Sequence, residues 1–356
     1  MSSKNEQLSH FCQRAKTWIA ASDIDSSAFE ELALDLFRFQ FEHNLPYQRL
    51  CRATGRLPST VASLDHIPAV VTSAFKEADW TLLDPAARTA VFLSSGTTTQ
   101  QRGRHHHSAE TLAVYETALL RWFKPFVLPD LDRAEFMLLS PPPSEAPNSS
   151  LVHMFAAVTC AFGKGAFYAS ARHDGAWHLD FERIAHAPPQ GPVVLCGTAF
   201  SFVHLCDWIA ETGSMLRFPE GSRVFETGGY KGRSRTVSKP ELHALISRSL
   251  GLPQTHIISE YGMSELSSQA YDRICGADQP RLFRFPPWAR AQIIDPESGR
   301  EAPAGKPGLI RVCDLANIAS VMAIQTEDLG VRRGQAFELL GRAAQVEPRG
   351  CSLLPA

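Results

Sequence analysis

Between residues 89 and 260, short apolar runs alternate with segments of helical periodicity, and this alternation constrains the fold more than any other feature of the chain. The runs at 89–94, 135–139, 192–197, 222–227 and 255–260 have strand length and each is centred on two to four consecutive Val, Ile, Leu, Phe or Met residues. The segments 108–124, 149–162, 198–212 and 238–250 carry apolar residues at helical spacing. Strands separated by helices of a dozen residues or more predict an α/β sheet with parallel pairing, because a parallel partner is reached only by a crossover. Upstream, 6–20 and 28–43 read as helices (Phe29, Leu32, Leu34, Leu36 and Phe37 share the apolar pattern), and after Pro46 the pattern breaks into turns at Gly55, Pro58 and Pro68. Downstream of about residue 280, the runs RAQIID, GLIRVCDL, MAIQTED and FELLGR read as short strands. The expected organisation is a helical N-terminal segment (1–88), an α/β core (89–279) and a small β-rich subdomain with a C-terminal tail (280–356).

Composition excludes several classes. A formal net charge of -2 over 356 residues gives no basic face of the kind nucleic acid binders use. The 8 cysteines form no C-x-x-C pair, so neither a zinc knuckle nor a redox dithiol is indicated. The N-terminus MSSKNEQLSH lacks the plan of a signal peptide, and no apolar run reaches the roughly 18 residues needed to span a bilayer. The expectation is a cytoplasmic protein that contacts neither membrane nor nucleic acid.

Chemistry concentrates at strand ends. Ser94, Ser95, Gly96, Thr97 and Thr98 follow the first core strand. Glycine allows close backbone approach, and successive N–H groups with hydroxyls suit phosphate oxygens. The alternative is a plain polar turn; a Walker loop is excluded because G-x-x-x-x-G-K-[ST] is absent. After the strand at 222–227 comes Gly228-Gly229, where a nucleotide base can lie against backbone, with Lys231, Arg233 and Arg235 supplying positive charge. After the strand at 255–260 comes Tyr261-Gly262-Met263-Ser264-Glu265. A tyrosine ring offers a stacking face, a hydroxyl at Ser264 can reach an α-phosphate, and Glu265 suits Mg²⁺. Asp328 can accept both hydroxyls of a ribose, and Arg342 offers a fixed charge to ribose or phosphate.

The loop SSGTT resembles the phosphate-binding loop of the adenylate-forming superfamily, although Thr99-Gln100-Gln101-Arg102-Gly103 stands where that loop ends in Gly. The segment EYGMSE resembles the superfamily's Y-G-x-T-E motif, and Thr326-Glu327-Asp328 its T-G-D segment, with Glu327 in place of Gly. ETGGYKGRSR, SEYGMSEL and the terminal Arg349-Gly350-Cys351-Ser352-Leu353 together resemble the acyl-protein synthetases of luminous bacteria, over roughly residues 10 to 353. Phenylacetate-CoA ligases are more distant relatives. The resemblance implies the large N-terminal domain of an adenylate-forming enzyme and a core that binds nucleotide and acyl group; most of the superfamily adds a separate lid domain that carries a catalytic lysine, and this sequence ends too early for one, so no separate lid domain is expected. It implies ATP and Mg²⁺ as cofactors, Ser94–Thr98, Gly228, Gly229, Tyr261, Gly262, Ser264, Asp328 and Arg342 as nucleotide-binding residues, and Glu265 as metal ligand.

The reaction it implies converts a carboxylic acid, a fatty acid in the luminous bacteria, to acyl-AMP and then passes the acyl group to a protein thiol. Cys351 stands at the acylated position. Lys231 is the expected stand-in for the lid lysine, with Arg235 or Arg342 behind it. The turn Pro142–Ser150 is expected to lead into a helix beside the acyl pocket, capped by Asn148 or Ser149. Two other functions stay open: a ligase that delivers the acyl group to coenzyme A or a carrier protein rather than to a reductase partner, and a non-catalytic nucleotide-binding assembly subunit. His105-His106-His107 does not read as a metal site, because neighbouring side chains alternate direction in a strand. His153, His204 and His256 read as packed histidines, and Cys196 and Cys313 as core residues.

Overall fold

Phe136 and Leu138 leave their strand on one side, Met137 and Leu139 on the other, and all four are buried. A strand apolar on both faces belongs in the middle of a covered parallel sheet, and that sheet organises the molecule. The computed structural model describes residues 3–21, 28–94, 101–172, 176–186, 189–228 and 237–343.

Three helices begin the chain: α1 (Lys4–Ala20), α2 (Phe29–His43) and α3 (Leu45–Ala53). The third corrects the sequence reading, which ends helical structure at Pro46. Pro46 lies in the first turn of α3, where its missing N–H has no intrahelical partner to lose. The Asn44 side chain caps the same turn by accepting from the Tyr47 N–H. After β1 (Val70–Val71) come the antiparallel pair β2 (Ala90–Leu93) and β3 (Arg104–His107).

The core continues with α4 (Ala109–Val127), β4 (Ala134–Leu138), α5 (Ser150–Phe162), β5 (Gly163–Phe167), the small hairpin β6 (Ala169–Ala171) and β7 (Trp177–Leu179), and α6 (Phe181–His186). It ends with β8 (Val193–Thr198), α7 (Ala199–Thr212), β9 (Arg223–Thr227), α8 (Lys239–Leu250), β10 (Ile257–Tyr261) and β11 (Ala270–Tyr271). The six-stranded sheet has the order β11-β10-β9-β8-β4-β5, parallel except for β11. One face packs on α4 and α5 through Phe136, Leu138, Val194, Cys196, Phe225 and Ile258. The other packs on α6, α7 and α8 through Met137, Leu195, Val224 and Ile257.

The final strands β12 (Ala289–Ile294), β13 (Pro307–Asp314), β14 (Ala323–Arg333) and β15 (Ala336–Arg342) form a second sheet, antiparallel save that β1 joins β14 in parallel. Its core merges with that of the N-terminal helices, where Phe29, Phe37 and Tyr47 pack with Ile310, Val312 and Ile324. Among the described residues, no helix is long and apolar enough to cross a membrane.

Candidate active site

The site lies where β2 and β10 end, beside the middle of β14, which carries Asp328. Backbone bonds close the base of the loop between β2 and β3: the Ser94 N–H donates to the Gly103 carbonyl at 2.9 Å, and the Gly103 N–H donates to Ser94 Oγ at 2.8 Å. Ser95, Gly96, Thr97 and Thr98 lie outside the described residues, as do Gly229, Lys231 and Cys351. Two further bonds lace the loop base to the turn after β10. Ser264 Oγ donates to the Leu93 carbonyl at 3.1 Å, and His105 Nδ1 lies 2.7 Å from the Ser264 carbonyl. The Ser264 hydroxyl, expected from sequence at an α-phosphate, thus spends its proton here on the strand that carries the loop.

The three histidines separate as strand geometry requires. His105 and His107 are buried with ring centroids 4.3 Å apart, while His106 faces Asp79 at 3.3 Å. Burial opposes ionisation of Asp79, yet hydrogen bonds from Arg104, Arg88 and His106 hold its carboxyl down at about 2. This cluster fastens β3 to the segment before β2.

Glu265 is buried beside the loop base, and desolvation pushes its carboxyl up to about 7. Lys76 and Arg342 favour its charge, and Glu327 opposes it. A Cβ on Gly103 would stand 3.1 Å from Glu265 Oε1, 3.1 Å from Ser94 Oγ and 3.2 Å from Phe75 Cβ. Glycine at 103 therefore lets the loop base close directly over this carboxylate. The backbone of the turn is held from the second sheet: Asn317 Nδ2 donates to the Glu265 carbonyl at 2.8 Å, and Asp314 accepts from the Ser267 N–H and the Ser268 hydroxyl. A carboxylate whose charge burial disfavours, beside a loop base with polar N–H and hydroxyl groups, fits a divalent cation that takes one carboxylate and completes its shell with phosphate and water.

Tyr261, the last residue of β10, donates its hydroxyl to Asp328 Oδ2 at 3.0 Å. Its ring is 6 % exposed and packs against Phe283, Phe285 and Phe337. Asp328 sits opposite Arg342 in the β14–β15 ladder, with Arg342 Nε 3.9 Å from its carboxylate. Gly228 ends β9 with φ 68°, a left-handed turn suited to glycine. The structure thus brings Ser94, Tyr261, Gly262, Ser264, Glu265, Asp328 and Arg342 to one region although up to 248 residues separate them in sequence (342 − 94).

Comparison with known proteins decides the family. The model of the family described as "Acyl-protein synthetase, LuxE" matches residues 4–355. The chain belongs to the acyl-protein synthetase family. Two long-chain-fatty-acid–luciferin-component ligases are similar to it. That of Vibrio harveyi is 22% identical over 337 residues, covering 89% of this chain and 84% of that one. That of Aliivibrio fischeri is 21% identical over 379 residues, covering 94% of each. Among solved structures, a 2-hydroxyisobutyryl-CoA ligase in the postadenylation state superposes with TM-score 0.67 at 15% identity, covering 88% of this chain and 66% of that one. The chain spans about half to three quarters of the length of the solved ligases it matches. This acyl-protein synthetase is accordingly an AMP-forming ligase with the adenylate-forming fold, which activates a carboxylic acid with ATP; acyl transfer to a protein thiol is the family's activity.

The synthetase also has a small cavity of about 70 Å³ against the same turn, lined by Tyr115, Ser150, Leu151, Met154, Thr227, Glu260, Gly262, Met263 and Gln269. Ser149 caps α5 at its edge, accepting from the Val152 N–H, and the Leu93 N–H donates to the Asn148 carbonyl, so the Pro142–Ser150 turn is tied to β2. Glu260 is buried, and desolvation pushes its carboxyl up to about 7. Its Oε2 accepts from the Thr227 hydroxyl. Its Oε1 overhangs Gly262, where any Cβ would collide with it. Sequence reading missed Glu260, Gln269, Gly103 and Lys76. Glu260 showed only as the polar end of the strand before Tyr261, and Gln269 did not stand out from Ser267 and Ser268 beside it.

Proposed function

We propose that the chain joins a carboxylic acid to the α-phosphate of ATP, releasing pyrophosphate, and then passes the acyl group to Cys351 in its own tail. In the first step a carboxylate oxygen attacks the α-phosphorus and pyrophosphate leaves. In the second the Cys351 thiolate attacks the acyl carbon, AMP leaves, and the thiol proton goes to solvent. The observation that carries this reading is the lacing of the Ser94–Gly103 loop base to the Ser264–Glu265 turn, with Asp328 and Arg342 beside it. Glu265 would hold Mg²⁺, which neutralises phosphate charge when bound. Asp328 takes the ribose, while Ser95–Thr98 and Lys231 serve the phosphates and the meeting anions. Cys351 follows Arg342 by nine residues, a span of at most roughly 30 Å, so a tail leaving the rim of the site has the length to return to it. The names of the two bacterial relatives support a fatty acid as the substrate.

Acid-dependent ATP–pyrophosphate exchange and acyl labelling test this reading together. With labelled acid and ATP, the wild type should carry label on Cys351, and Cys351→Ser should keep exchange but lose the label. Intact thioester formation by Cys351→Ser in the presence of coenzyme A or a carrier protein would instead make the chain a ligase for those acceptors. ATP binding without exchange on any acid would make it an assembly subunit.

A further inference from the structure

The second step proposed above makes a thioester, and a thiol attacks only as its thiolate. With an ordinary pKa of about 8.5, only a few per cent of a thiol is thiolate at pH 7. A base within reach of the thiol in the transition state is therefore worth roughly 10²- to 10⁴-fold in rate. The cavity beside the Tyr261–Glu265 turn is the place for such a base, because Gly262 and Met263 belong both to its wall and to the segment expected at the nucleotide. The side chains in its wall that carry oxygen or nitrogen are Tyr115, Ser150, Thr227, Glu260 and Gln269. The hydroxyls of Ser150 and Thr227 and the Gln269 amide take no proton near neutral pH. Burial drives the Tyr115 phenol up, further from that range. Glu260 is left, among the described residues, as the wall group that can exchange a proton there. His153 is not in the wall, and its Nε2 is paired with Glu116 Oε1 at 3.0 Å.

The strand register sets Glu260 opposite Thr227, whose hydroxyl donates to Glu260 Oε2. The carboxyl is thereby held with Oε1 over Gly262, in the space that a side chain at 262 would need. We infer that Glu260 is the general base of acyl transfer and that its Oε1 takes the proton of the attacking thiol. The sulfur–carbon bond forms as the bond from the acyl carbon to the phosphate oxygen breaks. That oxygen leaves on AMP with the electron pair, and the proton passes from Glu260 to solvent. The surroundings place the group in the working range of such a base. Burial raises the carboxyl to about 7, with Glu226 on β9 adding to the rise, while the Thr227 bond and Lys239 at the start of α8 lower it. The phenols of Tyr115 on α4, Tyr261 on β10 and Tyr271 on β11 also face it, and burial keeps all three neutral. The base is competent when ionised, so transfer gains with rising pH and is lost as the pH falls through 7. The inference rests on the acid-activation reading for the adenylate, but it holds for whichever thiol arrives.

The experiment measures the two steps apart in the wild type, Glu260→Gln and Thr227→Val, with ATP and a panel of straight-chain fatty acids. Pyrophosphate exchange reports activation. Single-turnover thioester formation, on the protein and in a parallel arm on added coenzyme A, reports transfer. Glu260→Gln keeps the shape of the side chain, so exchange should stay within about threefold of the wild type while transfer at pH 7 falls about 100-fold or more. Wild-type transfer should rise with pH and level off above about 7. In Glu260→Gln it should instead climb with the thiolate fraction toward about pH 8.5. Thr227→Val loses a bond that lowers the Glu260 carboxyl, so its transfer profile should bend at a higher pH than that of the wild type. A merely structural role for Glu260 would move neither profile. Wild-type transfer by Glu260→Gln, or equal losses of exchange and transfer, would overturn the inference. Should Glu260→Gln not fold, an unmoved bend in Thr227→Val would overturn it as well. Absence of wild-type exchange with every acid would sink acid activation itself, and the base with it.

Discussion

The hydroxyl of Tyr261 and the carboxylate of Asp328 lie 3.0 Å apart and are hydrogen bonded, so the last residue of β10 in the six-stranded sheet is fastened to β14 in the other. Burial raises the Asp328 carboxyl above its usual value, and the bond from Tyr261 together with Arg342 pulls it back toward the ionised form that a ribose needs. Tyr261→Phe should remove one hydrogen bond, about 1 kcal/mol of stability. It should also raise the KM for ATP several-fold in pyrophosphate exchange with little change in kcat. An unchanged KM would show that Asp328 needs no orienting and would speak against its role at the ribose.

Gly103 supports a sharper prediction. Its added Cβ would press on Glu265 Oε1, Ser94 Oγ and Phe75 Cβ at 3.1 to 3.2 Å, so these groups must give by a few tenths of an ångström. Phe75 is packed in the core and Ser94 is bonded to Gly103 itself, which leaves the Glu265 carboxylate to move. Gly103→Ala should therefore cost activity out of proportion to stability. Exchange should fall tenfold or more, with the Mg²⁺ concentration for half-maximal rate raised, while the urea midpoint changes little. Loss of stability with normal Mg²⁺ dependence in the remaining activity would assign Gly103 to packing alone.

The α/β core was legible because its strands are apolar on both faces and its helices carry caps: Ser108, Ser149, Thr198 and Ser238 each accept from the turn they open. The second sheet was legible as strands but not as a partner of the N-terminal segment, since the two-residue β1 is too short to show periodicity and pairs with residues more than 250 positions away. The site motifs were visible wherever chemistry concentrates in a few neighbouring residues, as in Tyr261–Glu265. Gly103 and Lys76 were not, because Gly103 acts through its close approach to Glu265 and Lys76 through its charge on Glu265, both from distant segments. Glu260 read as the end of an apolar strand. Only the register that sets it opposite Thr227 reveals it as a cavity residue.

Arg342 separates binding from folding. Its side chain is 80% exposed, and Asp328, 3.9 Å away, is the carboxylate beside it. An exposed pair at that distance contributes little to stability. Arg342→Ala should leave the unfolding free energy within about 0.5 kcal/mol of the wild type. If the guanidinium meets ribose or phosphate, the same substitution should raise the KM for ATP about tenfold, the loss of about 1.4 kcal/mol of binding. Unaltered ATP kinetics would return Arg342 to the surface.

The ion pair between Lys239 and Glu226 makes the pH prediction. Glu226 is fully buried on β9 two residues before Gly228, and Lys239 opens α8, so the pair ties together the two ends of the basic segment between them. Lys239 Nζ lies 2.6 and 2.7 Å from the two carboxylate oxygens, and Ser259 donates its hydroxyl to the same group at 2.8 Å. Burial opposes charge on Glu226, but Lys239 and His243 outweigh it and hold the carboxyl at about 2. That lies below the roughly 4.3 of an unfolded glutamate. The pairing therefore contributes in full above the unfolded value and is lost as the pH falls through 2. Lys239→Met should cost about 2 kcal/mol at pH 7, less than a wholly buried pair because Lys239 is over a third exposed. The deficit should shrink as the pH falls from 7, because burial without Lys239 lets the stranded Glu226 of the variant protonate above the value of an unfolded glutamate while that of the wild type stays ionised. Lys239→Arg should recover most of it. Urea unfolding of the three proteins at pH 7, 5 and 3.5 measures this directly. A deficit that stays constant across that range would mean that the lysine acts through the packing of its methylene stem rather than through its charge.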